Sequence, residues 1–323
     1  MHLTSVSVVL DATLPPGERA NILIRDILGP AVPVFEYITH LGDGPVLIAA
    51  AIMLYWFGDS DSRRKRAWVL AVGMAAFALA VGIKGFLAAP RPELIFAPEF
   101  YPGYSFPSAH AMGAAAFYGA LAVSMKLGST RQRYAIAGLI IVSVAISRVV
   151  IGVHFLGDVV IGILLGLLIV FGGRRYRGYD PGPLFALAFI IALAAYVAGS
   201  REFTTLTIGA SLGGIIGWYF VWHRRTTDQG AAVLVLGTFT LAALAIVYWV
   251  LPSVLSYPTL EVLGVTIIGR TVFEIAAYTI LTLVMLGLPV AAIYIEDSWP
   301  VQRLQATLPF RGRRIEPPAS FDD

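Results

Sequence analysis

Residues 134–172 read YAIAGLIIVSVAISRVVIGVHFLGDVVIGILLGLLIVFG. The run is far longer than the roughly 20 apolar residues that a helix needs to cross a bilayer. Its middle carries Arg148, His154 and Asp158. Ionisable groups are costly inside hydrocarbon, so a single continuous span is excluded. Gly152 accommodates a turn, and the run divides there into helices over 134–152 and 155–172. The three ionisable groups then fall at the shared end of two helices, near one membrane surface.

The rest of the chain is read by the same rule. It has 323 residues, 58% hydrophobic and 13% charged, with a mean hydropathy of +0.78. Soluble domains carry about a quarter charged residues. Further apolar runs lie near 31–57, 67–89, 108–127, 184–199, 203–221, 231–251 and 271–295. The expected fold is therefore an all-α polytopic membrane protein, a bundle of about nine transmembrane helices. There is no cysteine, so neither a disulfide nor a thiolate metal site is available. No basic leader with a cleavage site opens the chain. Leu3–Leu10 is too short to span, and Ile22–Leu28 reads as an interfacial amphipathic turn.

Lys and Arg accumulate in cytoplasmic loops. With residues 58–66 inside, sixteen of the 23 basic residues fall on that side and seven on the other. The expected orientation is N-terminus outside and C-terminus inside. The divisions that follow are an N-terminal extracytoplasmic or interfacial segment (1–30), a core of five spans (31–172), a cytoplasmic loop (173–183), four additional spans (184–295) and a polar cytoplasmic tail (296–323).

Three polar clusters stand out, all at the outer ends of spans in the N-terminal five. His154 and Asp158 share a helix face, so the carboxylate can hold one ring nitrogen and leave the other to attack. Arg148 brings a permanent cation to the same turn. Ser108 follows Pro107 at a helix start, where free backbone N–H groups suit an anion, and His110 in the first turn is placed to move a proton. Lys84 and Arg91 are near two helical turns apart, before Pro92, with both side chains able to point the same way. Each cluster alone also has a purely structural reading: a helix-closing pair, a capped helix, snorkelling bases. Glu36, His40 and Asp43, near the outer end of the first span, read as interfacial polar residues at a helix start, with lining of the substrate entrance as the alternative, and Arg270 with Glu274 as a helix-stabilising pair.

Taken together, Lys84…Arg91-Pro92, Pro107-Ser108-Ala109-His110 and Ser147-Arg148…His154…Asp158 resemble the signature of the type 2 phosphatidic acid phosphatase superfamily, the lipid phosphate phosphatases. The resemblance covers roughly residues 31–172. It implies that His154 attacks phosphorus to form a phosphohistidine and that Asp158 orients it. It implies that His110 protonates the leaving group, and that Lys84, Arg91, Ser108 and Arg148 hold the phosphoryl oxygens. No metal or other cofactor is implied, since the fixed cations supply the electrostatics. Residues 93–106, aromatic and apolar, suit the headgroup level of a membrane, so the expected partner is a membrane lipid and not a nucleic acid. The expected activity is hydrolysis of a polyprenyl diphosphate, phosphatidic acid or phosphatidylglycerophosphate type of substrate at the outer face of the cell membrane. Transfer of the phosphoryl group to an alcohol is the alternative, with the four additional spans available to build the acceptor site. A transporter with a phosphatase-like core is a third reading, weakened by the lack of mid-span ionisable residues in 184–295. Oligomeric state has no signal in the sequence.

Overall fold

The computed structural model describes residues 16–92, 103–126, 128–254, 259–262 and 265–308. Leu3–Leu10, most of the aromatic segment 93–106 and the end of the polar tail lie outside the described residues. The chain is helical: α1 (Pro16–Leu28), α2 (Val32–Ile38), α3 (Gly44–Trp56), α4 (Arg63–Leu87), α5 (Ala109–Ser124), α6 (Thr130–Val150), α7 (Leu156–Arg177), α8 (Gly182–Val197), α9 (Thr204–Val221), α10 (Gly230–Val254), α11 (Gly269–Ala291) and α12 (Trp299–Thr307). One antiparallel hairpin, β1 (Thr259–Val262) with β2 (Val265–Ile268), departs from the all-α expectation.

Among the described residues, six helices are long and apolar enough to cross a membrane: α4, α6, α7, α9, α10 and the helix that begins at Gly269. α5 and α8 are shorter apolar helices. The first predicted span, 31–57, is not one helix. The segment breaks at Asp43 between two glycines, and the parts on either side meet at 47°. The expected division of the 134–172 run is present: α6 ends at Val150, and Gly152 takes φ +84°. Ser129 and Gln132 start α6 with a reciprocal capping box, each side chain accepting the other residue's backbone N–H.

Close helix contacts rest on small residues. On α7, a methyl at Gly162 would lie 2.8 Å from the Ser108 carbonyl oxygen, and one at Gly166 would lie 2.5 Å from that of Met112. α5 presents Ala111 and Ala115 at this seam, so the two backbones approach closely, as small-residue faces allow in membrane helices. This seam sets the N-terminal end of α5, with Ser108 and His110, against the N-terminal end of α7, with Asp158. Gly209 and Gly213 of α9 repeat the device against α11, where the carbonyl oxygens of Ile275 and Thr279 lie 2.4 and 2.3 Å from the equivalent methyl positions.

The loops gather at two ends. Arg63 reaches the Thr227 carbonyl, Arg64 that of Tyr179, and the Tyr179 hydroxyl that of Val123, so the Arg-rich loops share one end. The segments holding Thr39–Asp43, Lys84–Pro92, Gly103–Ser108, Arg148–Asp158 and Gly199–Phe203 share the other. Tyr55 Oη and Trp56 Nε1 of α3 donate to the carbonyls of Leu286 and Met285 in α11, 2.8 and 2.9 Å away, and tie the two halves together.

Candidate active site

His154 sits in the short α6–α7 connection, outside the spanning helices, with a wholly buried imidazole at 1% exposure. Its Nδ1 lies 3.2 Å from Asp158 Oδ2. The same oxygen accepts the Phe155 backbone N–H at 3.0 Å and the Ser105 hydroxyl at 2.5 Å. Three donors hold the carboxylate charged and fixed, which sets the ring as Nδ1–H with Nε2 unprotonated. Burial pushes the imidazole well below the ordinary histidine range, against the pull of Asp158, and Arg148, Lys84 and Arg91 add to the downward push. A neutral ring with an available Nε2 is the form that attacks an electrophile.

Nε2 lies 3.4 Å from Arg91 Nη1, which donates to the Val153 carbonyl at 2.9 Å. Arg91 Nε donates to the Gly103 carbonyl at 3.2 Å. Lys84 Nζ donates to the carbonyls of Tyr104 and, at 3.0 Å, Ser105. The pairing of Lys84 with Arg91 does not arise from two helical turns. α4 stops at Leu87, Ala88 takes a left-handed conformation at φ 47°, and Arg91 lies beyond the helix. The carbonyls of residues 103–105 gather both cations from outside the helix. Pro90 and Pro92 account for the early stop, since the residue before a proline is driven out of the α region.

Arg148 is 1% exposed, and its Nη1 donates to Thr39 Oγ1 at 2.8 Å. His110 Nε2 lies 2.8 Å from Asp43 Oδ1, and His40 Nδ1 lies 2.6 Å from Asp43 Oδ2. Asp43 is therefore part of the site rather than an interfacial residue. Its signal in the sequence is the Gly42-Asp43-Gly44 turn inside an otherwise apolar run. Ser108 is fully buried and caps α5: Oγ accepts the Ala111 N–H at 3.4 Å and its own N–H bonds the Asp158 carbonyl at 3.1 Å. Lys84, Arg91, His110, Arg148 and His154 line one cavity of about 720 Å³, while Ser108 and Asp158 stand behind its wall.

Residues that sequence reasoning did not single out complete the arrangement. Ser105 bonds Asp158, Thr39 bonds Arg148, and Asn21 Nδ2 of α1 donates to the His154 carbonyl at 3.0 Å. α1 is thus a packed part of the site's support, not only an amphipathic turn at the interface. Arg201 and Glu202, in the connection between α8 and α9, line the same cavity. Arg270 and Glu274 form the expected i,i+4 pair at 3.0 Å, with Thr205 also donating to Glu274.

The arrangement brings a neutral imidazole, a carboxylate behind it, three cations and a second histidine around one cavity. That geometry suits attack on an anionic electrophile. The PAP2 superfamily model matches residues 66–182. Phosphatidylglycerophosphatase B of Bacillus subtilis (strain 168) is 34% identical over 174 residues, which cover 50% of this chain and 80% of that protein. The crystal structure of a transmembrane PAP2 type phosphatidylglycerolphosphate phosphatase from Bacillus subtilis aligns over 53% of this chain and 91% of its own, at 28% identity and a TM-score of 0.42. By the family match and the identity to phosphatidylglycerophosphatase B, this chain belongs to the PAP2 superfamily and is a membrane hydrolase of the lipid phosphate phosphatase type.

Proposed function

We propose that the protein removes phosphate from a lipid phosphate by way of a phosphohistidine at His154. The observation that carries this reading is the His154 ring itself: Nδ1 at Asp158, and Nε2 beside Arg91 on a cavity shared with Lys84, Arg148 and His110. In the first step Nε2 forms a bond to phosphorus, and the bond from phosphorus to the leaving oxygen breaks. Asp43 accepts from Nε2–H of His110 and stabilises the doubly protonated ring, whose Nδ1–H then gives its proton to the leaving oxygen. In the second step His110 takes a proton back from water. The water oxygen bonds phosphorus, the P–N bond breaks, and phosphate departs.

Arg91, Arg148 and Lys84 stabilise the charge on the phosphoryl oxygens. Lys84 uses two of its three N–H donors on carbonyls. We assign Ser108 to capping α5 and positioning Asp158, because its hydroxyl faces Ala111. The relative's name makes phosphatidylglycerophosphate the first lipid to test.

We further propose nine membrane crossings: α1–α3 as one bent crossing, then α4 through α11. The site would face the extracytoplasmic side of the cell membrane, with the phosphatase core in the first five crossings and an added unit at 184–295. The Arg-rich loops at the opposite end support this orientation.

The direct test is to mix detergent-solubilised protein with lipid carrying labelled phosphate, quench in alkali and locate the label. Label on His154 is expected. Full phosphate release by His154→Ala would overturn the assignment. EDTA is expected to leave the rate unchanged, and a strict Mg²⁺ requirement would contradict a cage built from Lys84, Arg91 and Arg148. Since the chain has no cysteine, a single cysteine at Asp61 reports orientation. It should react with an impermeant maleimide only after cells are opened.

A further inference from the structure

The catalytic cavity is larger than a phosphoryl group requires. Its 720 Å³ falls in the range of about 300–1,000 Å³ that takes an organic ligand. Besides the cations and histidines, the wall includes Phe77, Ala80 and Val81 of α4 and residues 199–203, the connection between α8 and α9. That connection lies outside the stretch matched by the family model, which ends at residue 182.

Glu202 is the one carboxylate on the cavity wall among the described residues. It lies against Gly103, where a methyl group would sit 3.0 Å from Oε2 and 3.3 Å from Oε1. Gly103 holds φ +82° there, and its carbonyl binds Arg91, the guanidinium beside His154. Gly103 and Arg91 thus connect the carboxylate to the reacting imidazole. The adjoining Arg201 is turned away, stacked 4.4 Å from the Tyr196 ring centroid and bonded to the Tyr196 carbonyl.

An ionised carboxylate only accepts hydrogen bonds, so its ligand must donate. An ammonium group would meet repulsion from Lys84, Arg91 and Arg148 on the same cavity. A second phosphate would be repelled by Glu202 itself. A neutral hydroxyl satisfies both constraints.

We propose that residues 199–203 form an alcohol subsite of the catalytic cavity, in which Glu202 accepts a hydrogen bond from a hydroxyl group held next to the phosphoryl group. The subsite rests on the phosphatase reading above and adds to it the class of group on the leaving side. The hydroxyl belongs either to the lipid's own head or to a free alcohol that competes with water.

Purified full-length protein separates these sources. Phosphatidylglycerophosphate carries a free hydroxyl beside its phosphomonoester; phosphatidic acid carries none. The ratio of their kcat/KM values is expected to fall about tenfold in Glu202→Gln, the scale of a charged hydrogen bond. A ratio also cancels any loss of folded protein. In the second arm, labelled phosphatidic acid is turned over in glycerol, and glycerol phosphate is counted against inorganic phosphate. A fall in that second quotient alone identifies a free alcohol as the ligand. If both quotients are the same in wild type and Glu202→Gln, the subsite is refuted. If wild-type protein releases phosphate from neither lipid, the phosphatase reading falls and the subsite with it.

Discussion

The two glycine seams, Gly162/Gly166 on α7 and Gly209/Gly213 on α9, are alike in spacing and in how closely they draw a neighbouring helix. What surrounds them differs. At the catalytic end of the first seam, polar groups reach across the chain: Ser105 to Asp158, Arg148 to Thr39, Asn21 to His154, His110 to Asp43. Around the second, two bonds cross between the paired helices, Thr279 to the Gly209 carbonyl and Thr205 to Glu274, while the fully buried hydroxyls bond carbonyls three or four residues back in their own segment. Thr207 bonds the Phe203 carbonyl, Ser211 that of Thr207, and Thr204 that of Ser200. A hydroxyl that satisfies its own i−4 carbonyl is a local solution to burial. A polar group satisfied only by a distant segment fixes the relation between segments, and a catalytic site needs that relation held.

The contrast is broken most severely at the nucleophile. His154→Ala is expected to lower phosphate release by about 10⁴-fold or more, the scale of losing a nucleophile, whereas Ser211→Ala, equally buried, should stay within about twofold. Equal losses in the two variants would erase the distinction. Next comes the support of the second histidine. Asp43→Asn keeps the shape of the side chain but weakens the charge that holds His110, and a fall in kcat of about 10–100-fold is expected. Recovery of full kcat with a leaving group of low pKa, which needs no proton, would tie the loss to proton transfer.

The glycine seams give a smaller and sharper test. Gly166→Val and Gly213→Val should each cost about 1–3 kcal/mol of stability by overpacking, read as a lower Tm in detergent. Only Gly166→Val should also lower kcat per folded molecule, because α5 and α7 carry His110, Ser108 and Asp158. The smallest effect is in the pH profile. A nucleophile with an ordinary histidine pKa near 6.5 would lose about threefold in its neutral fraction between pH 7 and pH 6. Burial and the surrounding cations hold His154 below that range, so its neutral form persists. The logarithm of kcat should then stay nearly flat over that interval, and a threefold drop would argue that another group attacks.

Much of this was legible in the sequence, for identifiable reasons. Apolar runs, caps and the Gly152 turn are local, so the helices fall where hydropathy and turn chemistry put them. The clusters at 84–92, 107–110 and 147–158 are short motifs whose members share one helix end or loop. The contacts of Asp43, Thr39, Asn21 and Ser105 were not legible. Their partners lie 67, 109, 133 and 53 residues away in sequence, and nothing in spacing announces such a pairing. Arg201 and Glu202 were passed over because the loop between two spans reads as plain connection, and only the packing of α4 against α8 and α9 carries it to the cavity.

The bonds from Tyr55 and Trp56 to α11 carry a practical consequence. A chain trimmed after residue 182, to resemble its smaller bacterial relative, would strip the acceptors from two interior donors and remove the Glu202 wall in one cut. Such a fragment would not be a minimal enzyme, and poor behaviour from it would say little about the intact catalyst. The C-terminal helices are better regarded as masonry shared with the N-terminal half of the molecule than as an annex bolted to it.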